Sequence, residues 1–222
     1  MTYILVTGTD TGVGKTIATA ALAVISAAAG AVSVVKLAQT GVGRHDLGDV
    51  NEVARLSGVT DVYEFVRLEE PLAPETAARR ADIALATVTE HADRIAALTA
   101  TTVLIEGTGG VRVRLDTGGG TVLDLGAALL VYGTVEVVIV TRAGLGTLNH
   151  TELTVAAVRD AGLAVRGLVV GSWPVHPDLA SRCNREDLPR LTSLPLLAVL
   201  PEGCGGWEPE TFRAAAPRWF SA

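Results

Sequence analysis

The chain has 222 residues and a mass of 22.9 kDa, which at roughly 150 residues per domain predicts one domain over residues 1–222. Apolar residues make up 49% and charged residues 19%, a balance that excludes disorder, because disordered chains are poor in apolar side chains and rich in net charge. The formal charge of −6, with basic residues scattered along the chain, excludes the basic stripe of a nucleic-acid binder and leaves room for a local positive pocket.

The first β-branched run, Tyr3–Thr7, predicts a strand that leads into Gly8-Thr9-Asp10-Thr11-Gly12-Val13-Gly14-Lys15-Thr16. Glycines here let backbone N–H groups curl around phosphate oxygens at the start of a helix, Lys15–Ala29. Lys15 then reaches the terminal phosphates and the Thr16 hydroxyl ligates Mg²⁺. One position departs from the pattern: the glycine expected five residues before the Gly14-Lys15 pair is Thr9, with Gly8 one residue earlier.

Twenty uncharged residues, fifteen of them apolar, separate Lys15 from Lys36, enough to span a bilayer. They are rich in Ala, Thr, Ser and Gly where a spanning helix needs Leu, Ile or Phe, so they predict a buried helix, a turn at Gly30 and a strand, Val32–Leu37. No basic leader opens the chain, and the expectation is a cytoplasmic protein with no membrane partner. Lys36 closes the second strand and faces the same strand-end cleft as Lys15. Two cations there suit a reaction that gathers negative charge in its transition state; a lysine snorkelling to water is the plain alternative. The next helix, Asp46–Ser57, opens with Asp46 and Asp49. Asp49 can complete a metal shell, although helix caps and first turns use the same residue type.

A helix at Val88–Leu98 precedes the strand Thr102–Glu106. Its terminal acid follows Val103, Leu104 and Ile105, where a phosphate-loop enzyme places its second Mg²⁺ anchor. Gly107, Gly109 and Gly110 then permit close backbone approach to a ligand. Gly118–Gly120 is either a mobile flap or a hairpin turn. Beyond the helix Val122–Val131 and the strand Glu136–Thr141, the segment Arg142–His150 brings flexible glycines to the start of a helix, Leu148–Ala161. Its unpaired N–H groups suit a carboxylate or a further phosphate. His45, His91 and His176 are isolated and read as surface residues.

The strand Val165–Gly171, the helix His176–Leu188 and the strand Leu196–Leu200 complete the alternation. These strands are near-continuous apolar runs, as expected when helices cover both faces of a sheet. The fold class is therefore α/β, an open and mostly parallel sheet in which ligands bind beyond the carboxyl ends of the strands. Cys183 and Cys204 have neither metal-site spacing nor a disulfide framework.

Several of these segments together resemble the dethiobiotin synthetases: GTDTGVGKT at 8–16, K-x-x-Q-T-G at 36–41, the Asp46/Asp49 segment, Pro71-Leu72-Ala73-Pro74, IEGTGG at 105–110 and GLGTLNHTELT at 144–154. The resemblance runs in order over about residues 2–205. It implies a P-loop NTPase fold and a ligase reaction in three stages. A diamine, 7,8-diaminopelargonate, takes up CO₂ as an N-carbamate. A nucleoside triphosphate phosphorylates the carbamate. The second amine then closes the ureido ring and phosphate leaves.

The resemblance also implies roles. The nucleotide would lie on Thr11, Gly12, Val13, Gly14, Lys15, Thr16 and Ile17, with Glu106 and Gly109 beside its phosphates. Thr16, Asp49 and Glu106 would hold Mg²⁺. Lys15 would stabilise the transferring phosphoryl group, Lys36 the carbamate, and Thr40 would hydrogen-bond to it. The diamine would touch Thr11, Asp49, Pro71, Leu72, Gly109 and Gly110. Its carboxylate tail would be held by Leu145, Gly146, Thr147, Leu148 and Asn149 of a neighbouring subunit, which implies a homodimer.

The chain departs from the family in places. Leu37 stands where Pro is common, Gly12 where some members carry an acid, and Arg112 and Arg114 where apolar residues are usual. They read either as surface charges or as residues over the cleft. Gly171 and Ser172 stand where many relatives place Asn-Asp to read adenine. A lost bidentate pair costs roughly 1–3 kcal/mol of base discrimination, so the expectation is weak adenine selectivity, with CTP or other triphosphates accepted. Pro201, Glu202, Gly203 and Cys204 would line the ribose and base. The rival reading is a division- or partition-type ATPase switch. Such proteins usually carry an extra lysine early in the phosphate loop, which this chain lacks between Gly8 and Gly14.

Overall fold

A computed structural model describes residues 1–220. In chain order its elements are β1 (Thr2–Gly8), α1 (Lys15–Ala27), β2 (Val32–Lys36), β3 (Gln39–Thr40), α2 (Asp49–Ser57), β4 (Val62–Glu64) and β5 (Arg67–Leu68). Next come α3 (Pro74–Ala81), α4 (Val88–Ala96), β6 (Thr102–Gly110), α5 (Val122–Leu129), β7 (Thr134–Thr141) and α6 (Thr147–Asp160). The series ends with β8 (Ala164–Trp173), α7 (Leu179–Thr192), β9 (Leu196–Pro201) and α8 (Pro209–Ala215).

Seven strands form one sheet in the order β4-β2-β6-β1-β7-β8-β9, and neighbouring strands pair in parallel. From the central β1 the chain moves outward to β2 and β4, returns to β6, then crosses β1 to reach β7, β8 and β9. That reversal brings the carboxyl ends of β1, β2 and β6 to one crevice, where open α/β sheets bind ligands.

Both faces of the sheet are covered, which is why the strands read as unbroken apolar runs. Along β1, Tyr3 and Leu5 join a core with Ile105 and Ile139 on one face, while Ile4 and Val6 join Leu104 and Phe212 on the other. Five consecutive inner positions of α1, from Thr19 to Ala23, are fully buried. Only small side chains let a helix lie that close to a sheet, which explains the alanines. Among the described residues no helix is long and apolar enough to cross a membrane, so the uncharged stretch divides into α1 and β2 as its composition predicts.

Sequence periodicity missed β3, β4, β5, α3 and α8. The three strands are only two or three residues long, too short to show a period. α3 and α8 each start on a proline at the first helical position, a start signal that was available. Gly118–Gly120 is a turn: the Leu115 amide donates to the Gly120 carbonyl, and the buried Asp116 carboxylate accepts from the Gly120 and Val88 amides. The surface reading of His91 is corrected. It is 3% exposed on the inner face of α4 and stacks on Phe65 at 5.3 Å between ring centroids. Burial holds its imidazole below the usual histidine value.

Candidate active site

The phosphate loop closes on Gly8. A Cβ on Gly8 would lie 2.7 Å from the Asp10 carbonyl oxygen and 3.0 Å from Lys15 Nζ, so the loop can fold back only over a glycine at that position. Thr9 still belongs to the strand end, its amide donating to the Val140 carbonyl at 2.9 Å. The displaced glycine of the motif therefore serves the same turn one residue earlier. Gly14 caps α1 with φ of 94°, a left-handed conformation that favours glycine.

Lys15 Nζ donates to the Asp10 carbonyl at 3.0 Å. Burial is the largest influence on its ammonium and the nearby Lys36 charge adds to it. Against Glu106, Asp49 and Asp10, the two still hold its pKa below the usual lysine value.

A second cation sits beside it. Lys36 Nζ lies 2.6 Å from Asp49 Oδ2 and 2.7 Å from Glu106 Oε1, and the Thr16 hydroxyl donates to the same Glu106 oxygen at 3.0 Å. Burial alone would push the Lys36 ammonium down, but the charges and hydrogen bonds of Glu106 and Asp49 prevail and raise its pKa. Of the two acids in the acidic segment, the structure selects Asp49. α2 begins there, whereas the Asp46 carboxylate lies against Gly43.

These residues line a cleft of about 870 Å³. The cleft gathers Thr11, Gly12, Gly14, Lys15, Thr16 and Ile17 from the loop and α1. It adds Lys36, Thr40 and Asp49, the apolar pair Pro71 and Leu72, and Glu106 with Gly109. Asp49 and Glu106 meet at the Lys36 ammonium and the Thr16 hydroxyl adjoins Glu106, three hard oxygen donors of the type Mg²⁺ takes. Among the described residues no group of three His, Cys, Asp or Glu forms a metal cage.

Other expected residues lie elsewhere. Val13 turns its side chain into the core. Gly110 lines a second hollow, of about 640 Å³, with Thr9, Arg112, Leu153 and Asp160. Arg112 is exposed and lines this second hollow, not the cleft, and Arg114 is exposed and lines neither.

Gly171, at the end of β8, is buried against the phosphate loop. A Cβ there would collide with the Val13 carbonyl oxygen and lie 2.7 Å from Val140 Cγ1. Ser172, Glu202 and Gly203 are exposed, Pro201 is half-buried, and Cys204 is buried. Burial pushes the Cys204 thiol up to about 11. At the start of α6, Leu145 is 86% exposed, Gly146 and Asn149 are exposed and Leu148 is half-buried. Thr147 is buried, its hydroxyl bonded to Thr141.

Three residues with no assigned role also shape the site. Gln39 lies inside the K-x-x-Q-T-G motif, and its side-chain oxygen accepts the Asp49 amide at 2.8 Å. Arg67 donates to the carbonyls of Gly43 and Asp46 at 2.8 and 2.6 Å; no local sequence signal marks it. Arg55, near the end of α2, donates to the carbonyls of Gly205 and Trp207 at 2.6 and 3.1 Å.

Known proteins share both the sequence and the fold. A family model described as an AAA domain matches residues 2–203. The ATP-dependent dethiobiotin synthetase BioD of Streptomyces coelicolor is 49% identical, over 100% of this chain and 92% of the relative. Its counterpart in Rhodococcus jostii is 48% identical, over 100% and 96%, and that of Frankia casuarinae 51%, over 92% and 86%. Among solved structures, the septum site-determining protein MinD of Pyrococcus horikoshii, complexed with Mg-ADP, superposes with a TM-score of 0.59 at 20% identity. That match covers 96% of this chain and 90% of MinD. The cell division ATPase MinD of Pyrococcus furiosus gives 0.56 at 22%, covering 98% of each chain. At such identities these two establish the P-loop NTPase fold alone. With near-complete coverage at about half identity, the chain belongs to the dethiobiotin synthetase family.

Proposed function

We propose that the protein is an ATP-dependent dethiobiotin synthetase, a ligase that forms the ureido ring from 7,8-diaminopelargonate, CO₂ and a nucleoside triphosphate. The observation that carries the reading is the convergence of Lys15, Lys36, Thr16, Asp49 and Glu106 in one cleft, in a chain matched over its whole length by enzymes of that name.

The phosphate loop holds the triphosphate on backbone N–H groups at the start of α1. Lys15 faces the transferring phosphoryl group, and a buried ammonium there stabilises the charge that gathers as the bond breaks. Lys36 holds the carbamate and its phosphorylated form, and the Thr40 hydroxyl donates to a carbamate oxygen. Pro71 and Leu72 flank the alkyl chain of the diamine, and Thr11 and Gly109 approach it by backbone. Thr16, Asp49 and Glu106 would hold Mg²⁺, which would supply charge neutralisation on the phosphates.

The enzyme works as a homodimer in the cytoplasm. The substrate carboxylate reaches Leu145–Asn149 of the second copy, whose helix N-terminus suits an anion. Support comes from Leu153 of α6, a large apolar side chain 64% exposed beside the second hollow. The base lies by the ends of β8 and β9, against Ser172 and the Pro201–Gly203 turn, with Gly171 and Cys204 buried behind them. Gly171 offers no side chain there, so adenine is read weakly and CTP or other triphosphates serve.

A coupled assay tests the reading. Triphosphate hydrolysis should depend on both bicarbonate and diaminopelargonate, with dethiobiotin as product. Hydrolysis indifferent to the diamine would overturn it and favour the ATPase-switch reading.

A further inference from the structure

The chain holds only two lysines, Lys15 and Lys36, against sixteen arginines, and both lysines lie in the cleft. Lys36 is buried, and its three ammonium donors meet three acceptors: Asp49 Oδ2, Glu106 Oε1 and, at 3.3 Å, the Gly107 carbonyl. Two of those acceptors belong to the carboxylates proposed to ligate the metal. An Mg²⁺ ion bound by both, at about 2.0–2.1 Å, draws on the oxygens that face the ammonium. The two cations compete for one pair of acids.

The acids are the fixed members of this set. Glu106 lies within the sheet, in register with Val6 on one side and Lys36 on the other. Asp49 is held through its backbone. Its amide donates to buried Gln39, and Arg67 pins the preceding loop at Gly43 and Asp46 while gripping both oxygens of Glu64 at 2.6 and 2.9 Å. The packing is close. A Cβ on Gly48 would lie 2.7 to 3.0 Å from Glu64, Gln39 and Arg67. Lys36, in contrast, ends in a four-carbon stem with rotatable bonds.

We propose that Lys36 is an exchangeable counter-ion. It neutralises Asp49 and Glu106 until a divalent metal takes their oxygens, and that displacement turns its ammonium toward the substrate carbamate. Gln39 and Arg67 act as positioning residues that hold the acids still during the exchange. The inference rests on the assignment of Asp49 and Glu106 as metal ligands and deepens it. Metal arrival thereby arms the substrate-side lysine, and no bond is made or broken.

The small lysine count makes this directly observable. Protein labelled with ¹⁵Nζ-lysine should show two side-chain signals, assigned with Lys36→Arg. Adding Mg²⁺ with a non-hydrolysable ATP analogue should shift the Lys36 signal until the metal saturates. Acetylation of Lys36 by acetic anhydride, read by site-resolved mass spectrometry, should accelerate about tenfold. Lys36→Met should bind Mn²⁺ alone at least fivefold tighter by electron paramagnetic resonance. Arg67→Gln should bind Mn²⁺ at least threefold more weakly while its affinity for the metal-free nucleotide is unchanged, a split that a merely structural role would not give. An unmoved Lys36 signal in the metal-saturated wild-type enzyme overturns the exchange, whatever the variants do. If Asp49→Asn and Glu106→Gln leave Mn²⁺ binding intact, the ligand assignment itself fails, and the exchange with it. If both abolish Mn²⁺ binding while Lys36 stays in place, only the exchange fails.

Discussion

The two halves of the sheet's carboxyl edge are built by different means. At the ends of β1, β2 and β6, four side chains (Thr16, Lys36, Asp49 and Glu106) are tied together within 3.0 Å. At the ends of β8 and β9, the matching positions offer a glycine packed on the phosphate loop, a buried thiol and exposed turn residues. The reacting end handles charge, and charge demands specific side chains at specific distances. The other end presents mostly backbone and few charged side chains.

The largest effect that would sharpen this contrast is expected at Lys36. Lys36→Ala should lower dethiobiotin turnover about a thousandfold or more, as loss of a preorganised charge stabiliser does, with nucleotide binding retained within about threefold. Wild-type turnover in that variant would break it.

Next comes Gly171→Asn. If the groove lacked only a reading side chain, an asparagine would restore adenine preference. Because its Cβ would strike the Val13 carbonyl, the expected result is a loss. Overpacking costs about 1–3 kcal/mol, so KM should rise about tenfold for every triphosphate, with a lower Tm. A gain in ATP selectivity would contradict the packing. Asn149→Ala should raise the diamine KM about tenfold and leave the nucleotide KM unchanged; an unchanged diamine KM counts against a carboxylate site on α6.

Among unmodified triphosphates, kcat/KM for ATP, CTP, GTP and UTP should agree within about tenfold, and a hundredfold preference for ATP would mean that the backbone end reads bases after all. The smallest effect lies far from both ends, at His91. Its folded pKa sits below the unfolded value of about 6.5. On acidification the unfolded chain takes the proton first. The stability it supports is thus full above about pH 6.5 and is lost as pH falls toward the folded value. Thermal unfolding from pH 8 to 5 should show a shallower decline in His91→Phe than in the wild type, and equal slopes would remove this assignment.

Lys36 and Glu106 were legible because each closes or follows an apolar strand, Lys36 after Val32–Val35 and Glu106 after Val103–Ile105, whereas Asp49 opens a helix and reads alone as a first-turn acid. Strand period and loop glycines alone place them at one edge. Gln39 and Arg67 were not legible, since each works through backbone groups far from it in sequence: Gln39 holds an amide ten residues on, and Arg67 a carbonyl twenty-four residues back. Local patterning carries no trace of such contacts. His91 misled for the opposite reason. A lone histidine on a helix with Thr89, Glu90 and Asp93 reads as solvated until Phe65 arrives from another element. The tight fit of Gly171 was equally hidden, because its neighbour Val13 lies more than 150 positions away in the chain.

One contact links the two ends mechanically. α2 opens with Asp49 beside the reacting charges and carries Arg55 six residues later, gripping the carbonyls of Gly205 and Trp207 just beyond the Pro201–Cys204 segment. Six residues of helix make a strut of about 9 Å, stiff on the scale of side-chain motion. The strut sets a fixed spacing between the acid at one end and the turn at the other. The helix thus ties the turn beyond β9 to the segment that carries Asp49.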